Sequence, residues 1–453
     1  MKPNILFLVV DSLRSDRCYG QKKSSVTPNL NSIIEKGILF SNSVSVAPST
    51  SVSLASIFTG FFPFRIGMSD EKYEKLDSQI PNFINLMKKY GYTTYMSSYN
   101  INKILNLSVD FDLNFNLKNY RNYPSLFDGY GEKIVEQLSS NMKNPWFYYI
   151  HINDLHEPII VPSTFNNSRY GVSQYDRMVS AIDHWLGKIL QCIDTQNTLV
   201  VLTSDHGDYV RSLIKNGNEI SLESSTFEKL AWKIGNKIPM FMGKVLHDTF
   251  SEKFQKTHSK NRSKLTNKLE LSVYEKRILE SSRMTSLNHL FDDLLIVPIV
   301  FFGEKISKNQ VIAKQVRLID IFPTIFDLCD LKYSDDIDGI SLLSLINEKK
   351  SFEQPAYIES IPSIEGNDDK KIGIRTSQFK FIRSKKNPSV QELYDLSNDP
   401  YEENNIASHS RNITDKLNKI LNDLLNKPKY RSEPTDKKDR KKIEDELKKL
   451  GYL

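Results

Sequence analysis

The sequence predicts an α/β protein: a mostly parallel sheet with helices on both faces. Three observations carry that reading. Three short, continuous apolar runs, ILFLVV, NPWFYYIHI and NTLVVLT, look like strands buried on both faces. Helical patterns alternate with such runs, which implies parallel strands joined by crossover helices. Each run ends in a polar cluster, and in such sheets the site lies at the carboxyl ends of the strands.

The elements follow in order. ILFLVV stops at Asp11. NLNSIIEKGILF reads as a helix closed by Gly37 and followed by a strand, and PNFINLMKKYGYTTYMSSYN repeats that pattern. SLASIFTG begins a helix, which puts the hydroxyl-rich stretch VAPSTSVS at a helix N-terminus. The 144–154 strand runs into His151, Asp154 and His156, and the 197–208 strand into Asp205 and His206. Between them QYDRMVSAIDHWLGKILQCI is an amphipathic helix. IVPIVFFG resumes the core as a strand and VRLIDIFPTIFDLC follows as a helix. PAYIES, KIGIRTSQFKFIRS and QELYDL form a short antiparallel unit. This divides the chain into a main unit over 1–345, a small C-terminal α+β unit over 346–425, and a Lys-rich tail over 426–453. In the tail Ile443, Leu447 and Leu450 share one helical face. Residues 209–285 break the rhythm, with 15 Lys/Arg against 8 Asp/Glu.

Composition bounds the function. The 453 residues carry a net charge of +6, which permits an anionic substrate without calling for nucleic acid. Cys18, Cys192 and Cys329 lie far apart with no CxxC pair, which gives no thiolate metal site and suits a reducing compartment. The first apolar run is too short for a signal peptide, and none approaches the roughly 20 residues of a membrane span. The expectation is a soluble, cytoplasmic protein with no membrane span.

NILFLVVDSLRSDRCYG, TPNLNSIIEKGILFSNSVSVAPST with ASIFTGFFPFRIGM, HINDLHEPIIVP, VVLTSDHGD and ELYDLSNDPYEENNIA stand in the order of a known family. On these motifs the chain resembles the sulfatases of the alkaline phosphatase superfamily, from about residue 3 to 408. The resemblance implies an alkaline-phosphatase-like sandwich and a metal-dependent hydrolase of sulfate or phosphate esters. Its departures are informative. Counting back from Thr59–Gly60 puts Thr50 where the family has the Cys or Ser of Cys/Ser-x-Pro-x-Arg that becomes formylglycine. Neither the Pro nor the Arg is present, and a secondary alcohol cannot give that aldehyde. The family's paired aspartates are here Asp11 and Ser12. Asn100 sits where the family has a sulfate-binding Lys and His.

The resemblance implies Thr50 as nucleophile and Asp11, Thr50, Asp205 and His206 as the metal set of the phosphoester-cleaving branches. A hydroxyl needs a base or a metal to act at neutral pH. Carboxylate and imidazole donors suit Zn²⁺ or Mn²⁺ and also admit Ca²⁺ or Mg²⁺. The plainer reading of Thr50 is a helix N-cap. His156 aligns with a family histidine that contacts the anion or leaving oxygen, so it is taken as catalytic. Asn100, His151 and His289 are candidate substrate contacts, and Asp154, His156 and His289 a candidate second metal group. Arg14 and Arg65 are read as solvated, with anion contact the alternative, and 209–285 as a partly helical basic lid, with a disordered or packed surface arm the alternative. The substrate expected is a small-molecule, glycan or lipid-headgroup ester, with a phosphate mono- or diester favoured. Sulfate hydrolysis, phospho-group transfer and a non-catalytic anion binder stay open.

Overall fold

The computed structural model describes residues 2–68, 76–77, 79–98, 111–114, 125–215, 218–221, 270–281, 288–303, 306, 309–348, 353–361 and 369–430. Asn100, most of 209–285 and the tail beyond 430 lie outside them.

The strands are β1 (Asn4–Val10), β2 (Ile38–Val44), β3 (Thr93–Ser97), β4 (Leu113–Asn114), β5 (Trp146–Ile152), β6 (Thr198–Thr203), β7 (Ser212–Lys215), β8 (Asn218–Ser221), β9 (Ile296–Gly303), β10 (Gln310–Ile312), β11 (Val316–Arg317), β12 (Ala356–Glu359), β13 (Lys371–Arg375), β14 (Phe379–Ser384) and β15 (Gln391–Asp395). Among the described residues the main sheet has nine strands in the order β10-β2-β9-β6-β1-β5-β3-β4, with β11 also on β2. β1 is central and parallel to both β5 and β6. β9 runs antiparallel to β2 and β6. The helices Pro28–Lys36, Thr50–Thr59, Phe83–Lys89 and Gln174–Gln191 follow the sequence expectation.

Side-chain alternation along a strand sorts the core into two layers. Ile5, Phe7 and Val9 of β1, Phe147 and Tyr149 of β5, and Leu199 and Val201 of β6 all join the cluster that packs on the helix Thr50–Thr59. Leu6, Leu8, Val10, Tyr148, Ile150, Val200 and Leu202 face the opposite layer, with the helices Pro28–Lys36 and Gln174–Gln191. This parity decides where the site forms. Asp11, His151 and Asp205 carry the odd-numbered stripes onward, so all three emerge on the side of the Thr50–Thr59 helix.

The second sheet is an antiparallel meander, β12-β13-β14-β15, as the sequence predicts. Its Tyr357, Ile372, Ile374 and Phe381 pack with Val46, Ala47, Val52, Phe62 and Phe64, so it buttresses the segment that leads into Thr50. The helix Arg411–Leu425 adds to the elements expected from the sequence. Its Leu417 and Leu421 bury against the same cluster. The hairpin β7–β8 and the helix Val273–Glu280 are the described parts of the 209–285 region. That helix lies on the body: the Arg277 guanidinium donates to the carbonyls of Tyr401 and Glu402. Among the described residues no helix is long and apolar enough to cross a membrane.

Candidate active site

β1, β5 and β6 deliver Asp11, His151 and Asp205 to one point. A carboxylate oxygen of each aspartate and one ring nitrogen of the histidine lie within 4.8 Å of one another, all buried. His151 Nε2 is 3.7 Å from Asp11 Oδ2. His206 brings its Nε2 to 3.9 Å from Asp11 Oδ1 and 3.7 Å from Asp205 Oδ2. Thr50, the first residue of its helix, sets Oγ1 at 3.4 Å from the same His206 nitrogen.

Thr50 is not the helix cap. Ser49 takes the cap position with extended backbone, so the plainer reading of Thr50 is set aside. Two neighbouring hydroxyls are engaged elsewhere. Ser53 donates to the Ala47 carbonyl at 2.9 Å and Thr59 to the Ala55 carbonyl at 2.8 Å.

Backbone geometry fixes the acids. Ser12 is held at φ 64°, the left-handed region that a residue with a Cβ adopts rarely. In that conformation its hydroxyl donates to Asp11 Oδ1 at 2.6 Å and its amide to Asp205 Oδ1 at 3.2 Å. The His206 amide donates to the same Asp205 oxygen at 2.9 Å. The tautomer of His206 follows from its partner. A carbonyl can only accept, so Nδ1 carries the proton donated to the Gly207 oxygen at 2.7 Å, and Nε2 presents a lone pair to Thr50.

The donor set fits a cation. Asp205 Oδ2 and His151 Nε2 are buried and have no hydrogen-bond partner among the described residues. Two buried carboxylates side by side need positive charge, and a buried polar atom left without a hydrogen bond costs about 1–3 kcal/mol.

Gly207 is required by a close approach. A Cβ there would sit 2.2 Å from the Asp293 carbonyl oxygen. Gly207→Ala is expected to destabilise the fold by about 1–3 kcal/mol and to shift the carbonyl that orients His206. Urea unfolding and kcat measured on one sample check both effects.

The other candidates are engaged with different groups. Asp154 accepts from the Ser125 hydroxyl at 2.6 Å and from the Leu126 amide at 3.2 Å, which anchors a helix start. His156 holds its Nδ1 proton on the Glu157 carbonyl at 2.9 Å. His289 stacks on Phe291 with ring centroids 5.5 Å apart. Burial lowers its pKa, and Lys371 adds to that. Asp154, His156 and His289 therefore do not form the second metal group expected; among the described residues the donor atoms that gather are those of Asp11, His151 and Asp205. His151 belongs to that deep cluster and not to a substrate-facing surface. Arg14 and Arg65 are buried and ion-paired, Arg14 with Asp16 and Asp293, Arg65 with Asp336 and Asp338. Neither is solvated.

Burial pushes the Asp154 carboxyl up to about 6. The unfolded value is about 4, so the folded state binds the proton more tightly. Stability contributed by this group therefore falls as pH rises from about 4 to 6, by roughly 3 kcal/mol. Asp154→Asn keeps an accepting oxygen without the charge. It is expected to match wild type at pH 4 and exceed it in urea unfolding at pH 7.5; equal stability at both would contradict this role.

Solved structures share the architecture. A phosphonate monoester hydrolase of Agrobacterium radiobacter aligns over 93% of this chain and 95% of its own, at 15% identity and TM-score 0.66. A 2-O GAG sulfatase aligns over 97% and 96%, at 16% identity and TM-score 0.65. The fold is that of the alkaline-phosphatase-like hydrolases. The chain belongs to the sulfatase family: residues 3–331 match the family described as Sulfatase, and residues 286–428 match the N-sulphoglucosamine sulphohydrolase C-terminal family. It is similar to arylsulfatase K of Gallus gallus, 25% identical over 95% of this chain and 84% of the relative. It is also similar to the ulvan-active sulfatase of Formosa agariphila, 22% identical over 93% and 79%. The protein is thus a sulfatase-family ester hydrolase, of a family that depends on divalent metal.

Proposed function

We propose that the protein cleaves an anionic phosphoester, a phosphate mono- or diester or a phosphonate ester, with Thr50 as nucleophile. The observation that carries this reading is the 3.4 Å approach of Thr50 Oγ1 to the lone-pair nitrogen of His206. Asp11, Asp205, His206 and Thr50 would hold a divalent cation, with Zn²⁺ or Mn²⁺ suited to these donors and Ca²⁺ or Mg²⁺ admitted. When bound, such an ion neutralises anionic charge and lowers the pKa of a hydroxyl it touches.

The chain's own groups supply the rest. Thr50 Oγ1 gives its proton to solvent as it bonds to phosphorus, since His206 Nε2 is committed to the cation, and the ester oxygen leaves with the electron pair of the broken P–O bond. The first amides of the Thr50–Thr59 helix have no partner within the helix and favour an anion in front of them. His156 is assigned as proton donor to the leaving oxygen. Water then attacks phosphorus, giving its proton to His156, while the Oγ1–P bond breaks and Thr50 takes back a proton from solvent. Relatives and neighbours named for sulfated sugars support a glycan as the leaving group. Three free thiols support a reducing compartment.

Sulfate-ester hydrolysis is the second reading, favoured by relatives named arylsulfatases. The threonine weighs against the family's aldehyde route, since oxidising a secondary alcohol gives a ketone. Nitrophenol release from sulfate, phosphate monoester and phosphodiester substrates, with Mn²⁺, Zn²⁺ or Ca²⁺, separates the two. Phosphoester turnover supports the first reading, and sulfate turnover alone overturns it.

A further inference from the structure

We propose that His151 is a further ligand of the cation centre and sets which ion that centre prefers. The inference rests on the reading of Asp11, Asp205 and His206 as cation donors. Opposite Val9 in the β1–β5 register, His151 shares the parity of Asp11 and points to the same side. The ring is 2% exposed, and its Nε2 has no hydrogen-bond partner among the described residues. The 3.7 Å from Nε2 to Asp11 Oδ2 is too long for a hydrogen bond. It is a natural spacing for two donors on one ion, whose bonds are about 2.0–2.6 Å.

The neighbours of His151 explain why a histidine serves there. Ser12 stands where the family has its second aspartate, and the Ser12 hydroxyl is engaged with Asp11. Its side chain leaves the donor set one carboxylate short. His151 supplies the missing donor from the adjacent strand. Its Nδ1 lies 2.6 Å from the Tyr149 hydroxyl, two residues back on the same face. With the Nδ1 proton donated to that oxygen, Nε2 presents its lone pair to the two aspartates, the outer-shell arrangement that orients ligating histidines. Two imidazoles and two carboxylates carry less negative charge than an all-carboxylate set. They favour a borderline ion such as Zn²⁺ over Ca²⁺, which prefers oxygen donors.

The test uses the full chain stripped of metal, titrated calorimetrically with Zn²⁺ and with Ca²⁺. Four proteins are compared: wild type, His151→Asn, Tyr149→Phe and Asp205→Asn. Tyr149→Phe is expected to weaken Zn²⁺ binding by on the order of 10–100-fold, as loss of an outer-shell partner does. His151→Asn should lose at least as much, and both should leave Ca²⁺ binding nearly unchanged. Tyr149→Phe keeps the ring and carries the test if His151→Asn does not fold. Zn²⁺ binding at wild-type strength in the folded variants, or equal losses of Zn²⁺ and Ca²⁺, overturns the role of His151. Asp205→Asn keeps the two claims apart. If it loses Zn²⁺ while His151→Asn does not, the centre stands and the His151 inference falls; if it binds Zn²⁺ as wild type does, the centre itself is wrong.

Discussion

Thr50→Ala is expected to lower kcat by about 10⁴–10⁶-fold, the scale on which losing a nucleophile acts. The fold should survive, because Thr50 is only half-buried and Ser49 occupies the helix cap. Alanine is also a good helix former at the first position. Thr50→Ser keeps the hydroxyl beside His206 and should retain far more activity than alanine. Near-equal kcat for wild type and Thr50→Ala, in protein with unchanged unfolding, would remove the threonine from the chemistry. A circular-dichroism melt of each variant guards against a folding artefact.

Phe58→Ala is expected to destabilise the protein by about 3–5 kcal/mol, as large aromatic truncations in cores do. Phe58 lies on the buried side of the helix that begins at Thr50. Its ring is edge-on to Phe7 of β1 at 6.4 Å and to Tyr149 of β5 at 5.2 Å, and tilted against Phe83 at 5.1 Å. Removing it opens a cavity between the Thr50–Thr59 helix and the two strands that lead to Asp11 and His151. Activity should therefore fall along with stability, whereas Thr50→Ala lowers activity alone. Urea unfolding measures the first effect, and kcat at a temperature well below Tm the second. A loss under 1 kcal/mol would mean that the helix is held chiefly by the second sheet.

Much of this arrangement is legible in the sequence, and what is not has identifiable causes. The apolar runs ending at Asp11, His151 and Asp205 give the buried strands and their convergence, because a strand buried on both faces needs no partner to be seen. Which polar residue points inward depends on parity and register, which a single run does not reveal. His151 therefore reads as a substrate contact although it lies deep beside Asp11. Asp154 falls beyond the end of β5, and its partners Ser125 and Leu126 are far away in sequence. Arg14 and Arg65 look solvated for the same reason: Asp293 and Asp338 come near only in the fold. The helix Arg411–Leu425 was within reach of the sequence. Ile413, Leu417, Leu421 and Leu424 recur at helical spacing, beside a Lys-rich tail with an apolar face of its own.

The most direct test of the central claim is to find the covalent intermediate. Enzyme mixed with a nitrophenyl phosphodiester is quenched in acid during turnover, digested, and its peptides are sequenced by accurate-mass spectrometry. Phosphothreonine is expected at Thr50, absent without substrate and absent from Thr50→Ala. Active turnover with Thr50 unmodified, or a sulfated Thr50 formed from a sulfate ester while phosphoesters leave no mark, would contradict it.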